Sequence, residues 1–194
     1  MPTATRAPAR PLAVLSADGT PLHAELHGPE GTPAVVLVHG LGQSAATWSP
    51  VIDLLAADHL LIAYDVRGHG RTPAGPGGPS ARALTQDLTA VLTACLGGRE
   101  RAVLAGLGLG AATILAAVRD PLVRAHTAGI LNCPTPHPAA PLAGVNRRTQ
   151  HAWSRTAAAL GAVTPAAVPT LVLGGPDEYL TPSAVAHGIR RLTV

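Results

Sequence analysis

Three glycine-rich turns, each following an apolar run, hold the residues of this 194-residue chain that could do chemistry. They are His39-Gly40-Leu41-Gly42, the stretch from Asp65 to Gly70, and Gly106-Leu107-Gly108-Leu109-Gly110. Backbone amides in such turns can stabilise an oxygen anion, and nearby imidazole and carboxylate groups can transfer protons. A further carboxylate, Asp177, lies in a loop near the end of the sequence.

The runs before these turns predict the strands of a sheet. Continuous apolar, β-branched runs are typical of strands that are buried on both faces of a parallel sheet. The predicted strands are Leu12–Ser16, Leu22–His27, Ala34–Val38, Leu60–Tyr64, Ala102–Leu107, Thr127–Leu131 and Thr170–Leu173. The predicted helices are Ala45–Ala57, a helix capped by Ser80 that runs to about Leu96, Ala111–Arg119, Asn146–Leu160 and Pro182–Gly188. This alternation predicts a doubly wound, mostly parallel α/β sheet flanked by helices.

Four segments in this order resemble the α/β-hydrolase family: residues 35–42, 65–70, 106–110 and 169–177. The resemblance runs from about Leu12 to Val194. It implies that the amides of Leu41 and Leu109 form an oxyanion hole, and that His39, Gly40 and Gly42 shape the turn beside it. It also implies that residues 106–110 stand in place of the family's G-x-S-x-G nucleophile elbow, and that Asp177 holds the position of the triad acid.

The chain departs from the family pattern at the elbow and after the acid. Gly108 occupies the nucleophile position, so no hydroxyl is present there to attack an acyl carbon. Glycine adopts a positive φ without strain, so the turn can persist without its chemistry. His187, the only histidine after Asp177, falls in a predicted helix, where a solvated surface role fits it better than that of a base.

The resemblance also implies that the chain is shortened. Residues 1–11 are expected to be a flexible arm, and residues 12–194 a single domain with a short cap remnant at about 134–166. The last strand and the final helix are expected to be truncated at Val194. Apolar side chains of the strands near 102–107, 127–131 and 170–173 would then face solvent, which predicts self-association, a protein partner over that face, or marginal stability.

Other chemistries receive less support. The stretch from Gly106 to Ala111 also fits the G-x-G-x-x-A pattern of nucleotide-binding turns, but the next strand ends in Asn132 with no acid for a ribose. Ser44 is interpreted as a helix cap rather than a substitute nucleophile. Cys95 and Cys133 are interpreted as buried structural thiols.

Composition narrows the remaining function classes. The net charge is +3 and the arginines are scattered, with no interleaved aromatic residues, so we expect no nucleic-acid partner. The histidines show no metal-ligand spacing, and no cofactor is predicted. The start of the sequence contains no apolar leader segment, and the uncharged stretch between Arg101 and Arg119 is interrupted by glycines. We therefore expect a cytoplasmic protein that does not enter the membrane.

The sequence therefore predicts an α/β-hydrolase-like protein that lacks Ser-His-Asp catalysis and binds a small carbonyl or carboxylate ligand or a protein partner. Two alternatives stay open. One is a residual or atypical hydrolase or lyase that uses the oxyanion pocket. The other is a nucleotide-binding module.

Overall fold

One sheet of seven strands organises the part of the chain that the structure describes. The structure is a computed structural model, and it describes residues 8–97, 101–133, 156, 168–173 and 181–193. In chain order the strands are β1 (Arg10–Leu15), β2 (Pro21–His27), β3 (Ala34–Val38), β4 (Leu60–Tyr64), β5 (Ala102–Leu107), β6 (Thr127–Cys133) and β7 (Thr170–Val172). They are arranged across the sheet as β1-β2-β4-β3-β5-β6-β7. Strands β3 to β7 run parallel, whereas β1 pairs antiparallel with β2 and β2 with β4.

Helices cover both faces of this sheet. They are α1 (Ser49–Leu55), α2 (Ala81–Leu96), α3 (Leu109–Ala117), α4 (Pro121–Ala125) and α5 (Pro182–Leu192), with a 3-10 helix at Ala45–Trp48. The buried side chains of α2, α3 and α4 form one core cluster with the sheet, and those of α1 and α5 form a second cluster on the opposite face. Strands β3 and β4 are buried at every residue because they lie between these layers. The predicted doubly wound α/β fold is confirmed.

The expectation that apolar side chains of β5 and β6 would face solvent is wrong. Helix α5 places Val185, Ala186 and Ile189 in the same core cluster as side chains of β5 and β6. A side chain at Gly188 would meet Leu131 at 2.9 Å, so the helix lies almost directly against β6. Of β5, β6 and β7, only β7 has an exposed apolar side chain, Val172, which is 56% exposed. Association over this strand stays a prediction.

Several predicted boundaries differ from the observed ones. The helix predicted over Ala45–Ala57 is a 3-10 helix followed by α1, because Pro50 lies in the first turn of α1 and favours a helix start there. Helix α5 continues to Leu192, so Arg191 and Leu192 are helical where the last strand was expected. Strand β1 begins at Arg10, two residues earlier than predicted.

The uncharged stretch after Arg101 is strand β5 and helix α3 joined by a sharp turn, and no helix in the described ranges has the length and apolarity to cross a bilayer. The predicted cap remnant at 134–166 and the loop that holds Asp177 lie outside the described residues, apart from Thr156.

Candidate functional site

The turn between β5 and α3 places residue 108 at a sharp bend. Gly108 has φ 46° and ψ −106° and is the N-cap of α3. Its N–H donates to the carbonyl of Cys133 at 3.0 Å, and its own carbonyl accepts from Ala112 N–H at 3.0 Å. A residue with a side chain would store about 1–3 kcal/mol of strain in this conformation, whereas glycine stores almost none. The bend is a sharp strand-to-helix turn, where the sequence predicts the nucleophile elbow, and Gly108 offers no side-chain atom that could attack.

Two flanking glycines let backbone segments approach closely at this turn. A Cβ at Gly110 would lie 2.2 Å from the carbonyl oxygen of Val38, at the end of β3. A Cβ at Gly106 would lie 2.5 Å from the amide nitrogen of Ala111. Neither position has room for a methyl group, so the start of α3 contacts the end of β3 at Gly110 and packs against the end of β5 at Gly106. The contact brings Leu109, the first residue of α3, next to the turn that begins at His39.

Both ring nitrogens of His39 are used to hold backbone in place. Its Nε2 accepts from Val66 N–H at 2.9 Å, so Nδ1 carries the proton and donates to the Gly40 carbonyl at 2.8 Å. The ring is fully buried, and this burial lowers its pKa to about 4. His39 is therefore neutral at physiological pH and joins the turn after β3 to the turn after β4.

Lowering the pH from 7.5 to 5.0 is expected to reduce the free energy of unfolding by about 2 kcal/mol through His39 alone. The unfolded imidazole binds its proton near pH 6.5, whereas the folded one stays neutral until about pH 4. The stability that depends on this neutral ring is complete above pH 6.5 and is lost as the pH falls towards 4. Urea unfolding at both pH values measures the change. Equal stability at the two values would contradict it, and a His39→Gln variant should show a weaker pH dependence.

His69 makes a parallel connection between the same two turns. Its Nε2 accepts from Gly42 N–H at 3.0 Å, and its Nδ1 donates to the Arg67 carbonyl at 3.1 Å. Burial lowers the pKa of His69 as well, so it adds to the acid sensitivity attributed to His39. The two rings pack edge to face with centroids 5.3 Å apart. Leu41, which is half-buried, lies in the turn that these histidines hold.

Asp65 caps the helix that Ser44 was expected to cap. Ser44 occupies the N-cap position of the 3-10 helix, but its side chain makes no capping hydrogen bond. Asp65 Oδ1 accepts from Ala45 N–H at 2.8 Å instead, and Oδ2 accepts from Arg71 N–H at 2.9 Å. Ser44 therefore holds the predicted N-cap position without the expected side-chain hydrogen bond, and a buried carboxylate at the end of β4 binds the first amide of the helix.

A buried ion pair that the sequence did not reveal anchors the turn after β4. Arg67 donates from Nε and Nη2 to the two carboxylate oxygens of Asp87, at 2.6 Å each, and both side chains are 1% exposed. Ser16 Oγ donates to Asp87 at 2.5 Å, and Arg67 Nη1 donates to Asp18 at 2.9 Å. The hydrogen bonds that Arg67 donates to Asp87 raise the pKa of Arg67, and the Arg67 guanidinium holds the pKa of Asp18 well below its usual range. This network joins the β1–β2 turn, the β4 turn and α2.

The other candidate nucleophiles do not converge on the elbow as reactive groups. Burial raises the pKa of Cys133 to about 12 and that of Cys95 to about 11, so both are protonated thiols at neutral pH. Ser44 lines a cavity of about 180 Å³ between β2 and α1, together with Glu25 and His27. His187 lies on the exposed side of α5, as predicted, between buried Ala186 and Gly188.

Asp177 lies outside the described residues, so its distance to the elbow is not part of the site geometry. Among the residues that are described, no group of three histidine, cysteine or acidic side chains has the arrangement needed to hold a metal ion. Strand β6 ends at Asn132 and Cys133, so the position after this strand holds no carboxylate that could bind a ribose.

Comparison with known proteins identifies relatives of this chain. The model of the alpha/beta hydrolase family matches residues 35–192. The "putative carbamate hydrolase RutD" of Variovorax paradoxus is 40% identical over 114 residues, which cover 58% of this chain and 42% of that protein. The crystal structure of the esterase RhEst1 from Rhodococcus sp. ECU1013 has a TM-score of 0.57 and 31% identity over 62% of this chain and 44% of its own. The bottromycin epimerase BotH, solved with bottromycin A2, has a TM-score of 0.54 and 29% identity over 62% of this chain and 47% of its own. The chain spans less than half the length of each of these relatives.

Proposed function

Because the chain belongs to the alpha/beta hydrolase family but holds glycine where the family's serine stands, we propose that it binds a small carbonyl or carboxylate ligand without Ser-His-Asp turnover. The observation that carries this proposal is the backbone of Gly108. Its φ of 46° and ψ of −106° keep the sharp bend at the start of α3, although residue 108 has no side chain. The bend therefore presents backbone donors to a ligand without presenting a nucleophile.

Backbone electrostatics favour an anionic or strongly polarised oxygen at this bend. The first amides of a helix have no carbonyl partner within the helix, and the aligned peptide dipoles place partial positive charge there. Leu109 supplies the first amide of α3, and the turn held by His39 and His69 carries the amide of Leu41. An oxyanion hole uses two backbone amides that bind the same oxygen, and we propose this role for the amides of Leu41 and Leu109. The name of the RutD relative, a carbamate hydrolase, agrees with a ligand that contains a carboxyl-type group.

A proline at position 109 is expected to weaken carboxylate binding at least tenfold relative to an alanine there, because a hydrogen bond to a charged group contributes about 1.5–3 kcal/mol. Leu109 is the first helical residue, where proline is tolerated, so Leu109→Pro removes the N–H with little effect on the helix. Leu109→Ala loses the same buried side chain but keeps the N–H, and is the matched control. Titration with acetate and benzoate, followed by NMR, measures the two affinities.

Two results would overturn the binding proposal. One is equal carboxylate affinity in Leu109→Pro and Leu109→Ala. The other is no saturable binding of either probe to the unmodified chain. In both cases a carboxylate site at the elbow would be excluded, whatever the chain's activity.

A residual or atypical reaction at the same pocket is the second candidate function. Its support is the similarity to BotH, which is named as an epimerase and shows that relatives of this fold are not restricted to hydrolysis. Multiple turnovers of p-nitrophenyl acetate that are lost in Leu109→Pro and kept in Leu109→Ala would favour this candidate. Turnover that does not exceed the buffer rate would favour binding alone.

A further inference from the structure

A carboxylate, an imidazole and a hydroxyl lie in line at the edge of the sheet opposite the elbow. Asp58 Oδ1 is 2.7 Å from His59 Nδ1, and His59 Nε2 is 3.1 Å from Thr193 Oγ1. His59 directly precedes β4, so the group lies at the amino-terminal edge of the parallel strands, whereas Gly108 follows β5 at the carboxyl-terminal edge. The constellation is therefore separate from the site proposed above and does not rest on it.

The hydrogen-bond order of this group allows proton transfer from the hydroxyl to the imidazole. Thr193 Oγ1 also lies 3.2 Å from the carbonyl oxygens of Ile189 and Arg190, so the hydroxyl must turn its proton from these acceptors to His59 Nε2 for the transfer. The hydrogen bond with His59 lowers the pKa of Asp58, and Arg190 lies 3.7 Å from its other oxygen, so Asp58 is a carboxylate at neutral pH. A carboxylate accepts, so the Nδ1 of His59 carries the ring proton and Nε2 presents a lone pair to Thr193. An oriented imidazole beside a hydroxyl is the arrangement that activates a hydroxyl nucleophile.

Elements of regular secondary structure flank the three groups. Thr193 is the C-cap of α5. His59, whose ring is buried, directly precedes β4. Arg190 Nη2 donates to the Leu54 carbonyl at 3.0 Å, which fixes the end of α5 against the end of α1. Thr193 itself is half-buried, so part of the residue faces solvent.

We propose that Thr193 is a nucleophile, activated by His59, that reacts with activated acyl and phosphoryl electrophiles. With a fluorophosphonate, Oγ1 attacks phosphorus and forms an O–P bond while the P–F bond breaks and fluoride leaves with the electron pair. The hydroxyl proton moves to His59 Nε2 and then to water. Asp58 compensates the transient positive charge on the imidazole.

The surroundings of Thr193 limit the reaction to one event per chain. Its N–H donates to the Ile189 carbonyl at 3.2 Å, so this amide is not available to stabilise an oxyanion. The last carbonyls of a helix carry partial negative charge, which disfavours a developing oxyanion further. We therefore expect a stable covalent adduct and no catalytic turnover at this edge of the sheet.

The test is covalent labelling of the whole chain with a biotinylated fluorophosphonate, followed by intact-mass spectrometry and fragmentation to locate the adduct. We expect one adduct, on residue 193. Thr193→Val should abolish it, and His59→Gln and Asp58→Asn should slow it at least tenfold. Thr193→Ser should be labelled faster, because a primary hydroxyl is less hindered. Thr93→Val is the matched control and should leave labelling unchanged, because Thr93 is an exposed threonine whose hydroxyl also donates to a helix carbonyl.

The proposal is wrong if residue 193 acquires no adduct in either the unmodified chain or Thr193→Ser, or if labelling is equally fast in Asp58→Asn. A hydroxyl with only a structural role would be inert in all of these chains. Asp58 is 55% exposed, so Asp58→Asn keeps the test valid even if His59→Gln does not fold.

Discussion

Replacement of Asp87 by asparagine is expected to lower the free energy of unfolding by about 3–5 kcal/mol, the effect typical of leaving a buried charge without its partner. The carboxylate of Asp87 accepts two hydrogen bonds from Arg67 and one from Ser16, and the guanidinium is 1% exposed. Asparagine keeps the size of the side chain but removes the charge. Arg67 then stays buried with only Asp18, which is 31% exposed, as its acidic partner.

Urea unfolding of Asp87→Asn measures this loss, with Glu30→Gln as the control. Glu30 forms an ion pair with Arg10 but is 72% exposed, so its replacement should change stability by less than about 1 kcal/mol. A double variant, Arg67→Met with Asp87→Leu, should recover much of the loss, because apolar side chains of similar volume avoid the desolvation of both charges. A loss below 1 kcal/mol in Asp87→Asn would show that the pair contributes little.

Gly110→Ala is expected to destabilise the fold by about 4 kcal/mol, although alanine favours helix over glycine by about 1 kcal/mol. The added Cβ would lie 2.2 Å from the carbonyl oxygen of Val38 and 2.7 Å from that of His39. Both obstacles are backbone atoms at the end of a central strand, so neither can rotate away as a side chain would. Helix α3 would have to move off β3, and its buried contacts would loosen.

Gly77→Ala provides the matched control for this clash. A Cβ at Gly77 meets no atom within 4 Å, so the change should leave the unfolding midpoint almost unaltered. Thermal and urea unfolding of both variants separate the clash from the general effect of replacing glycine. A stabilised Gly110→Ala variant would show that helix propensity dominates and that α3 does not contact β3 as closely as described.

The parts of the fold that depend on local pattern were predictable from the sequence. Ala34–Val38, Leu60–Tyr64 and Ala102–Leu107 were predicted to the residue, because a strand buried on both faces must be an unbroken apolar run. Ser80 was correctly identified as the cap of α2, and its Oγ accepts from Ala83 N–H. The position of Gly108 between a strand and a helix also follows from local pattern.

The features that depend on distant contacts were not predictable in the same way. Asp87 lies in the middle of α2, and nothing near it indicates that its partners are Arg67 and Ser16 from two other turns. Asp65 replaces Ser44 as a helix cap because the fold brings the end of β4 beside Ala45. Helix α5 was expected to end at Gly188, but there the glycine lets the helix pack against Leu131 of β6, and the helix continues to Leu192.

The close contact between α3 and β3 means that shape and reactivity at the elbow are encoded by different residues. The shape of the bend depends on Gly106 and Gly110, which leave room for neighbouring backbone atoms. A nucleophilic side chain would depend on position 108 alone. A single substitution to glycine at position 108 therefore removes the nucleophile from such a fold, and it also relieves the torsional strain that a residue with a side chain would have there. Because shape and reactivity are separate, a reactive side chain can be introduced at position 108 by protein engineering without changing the glycines that shape the bend.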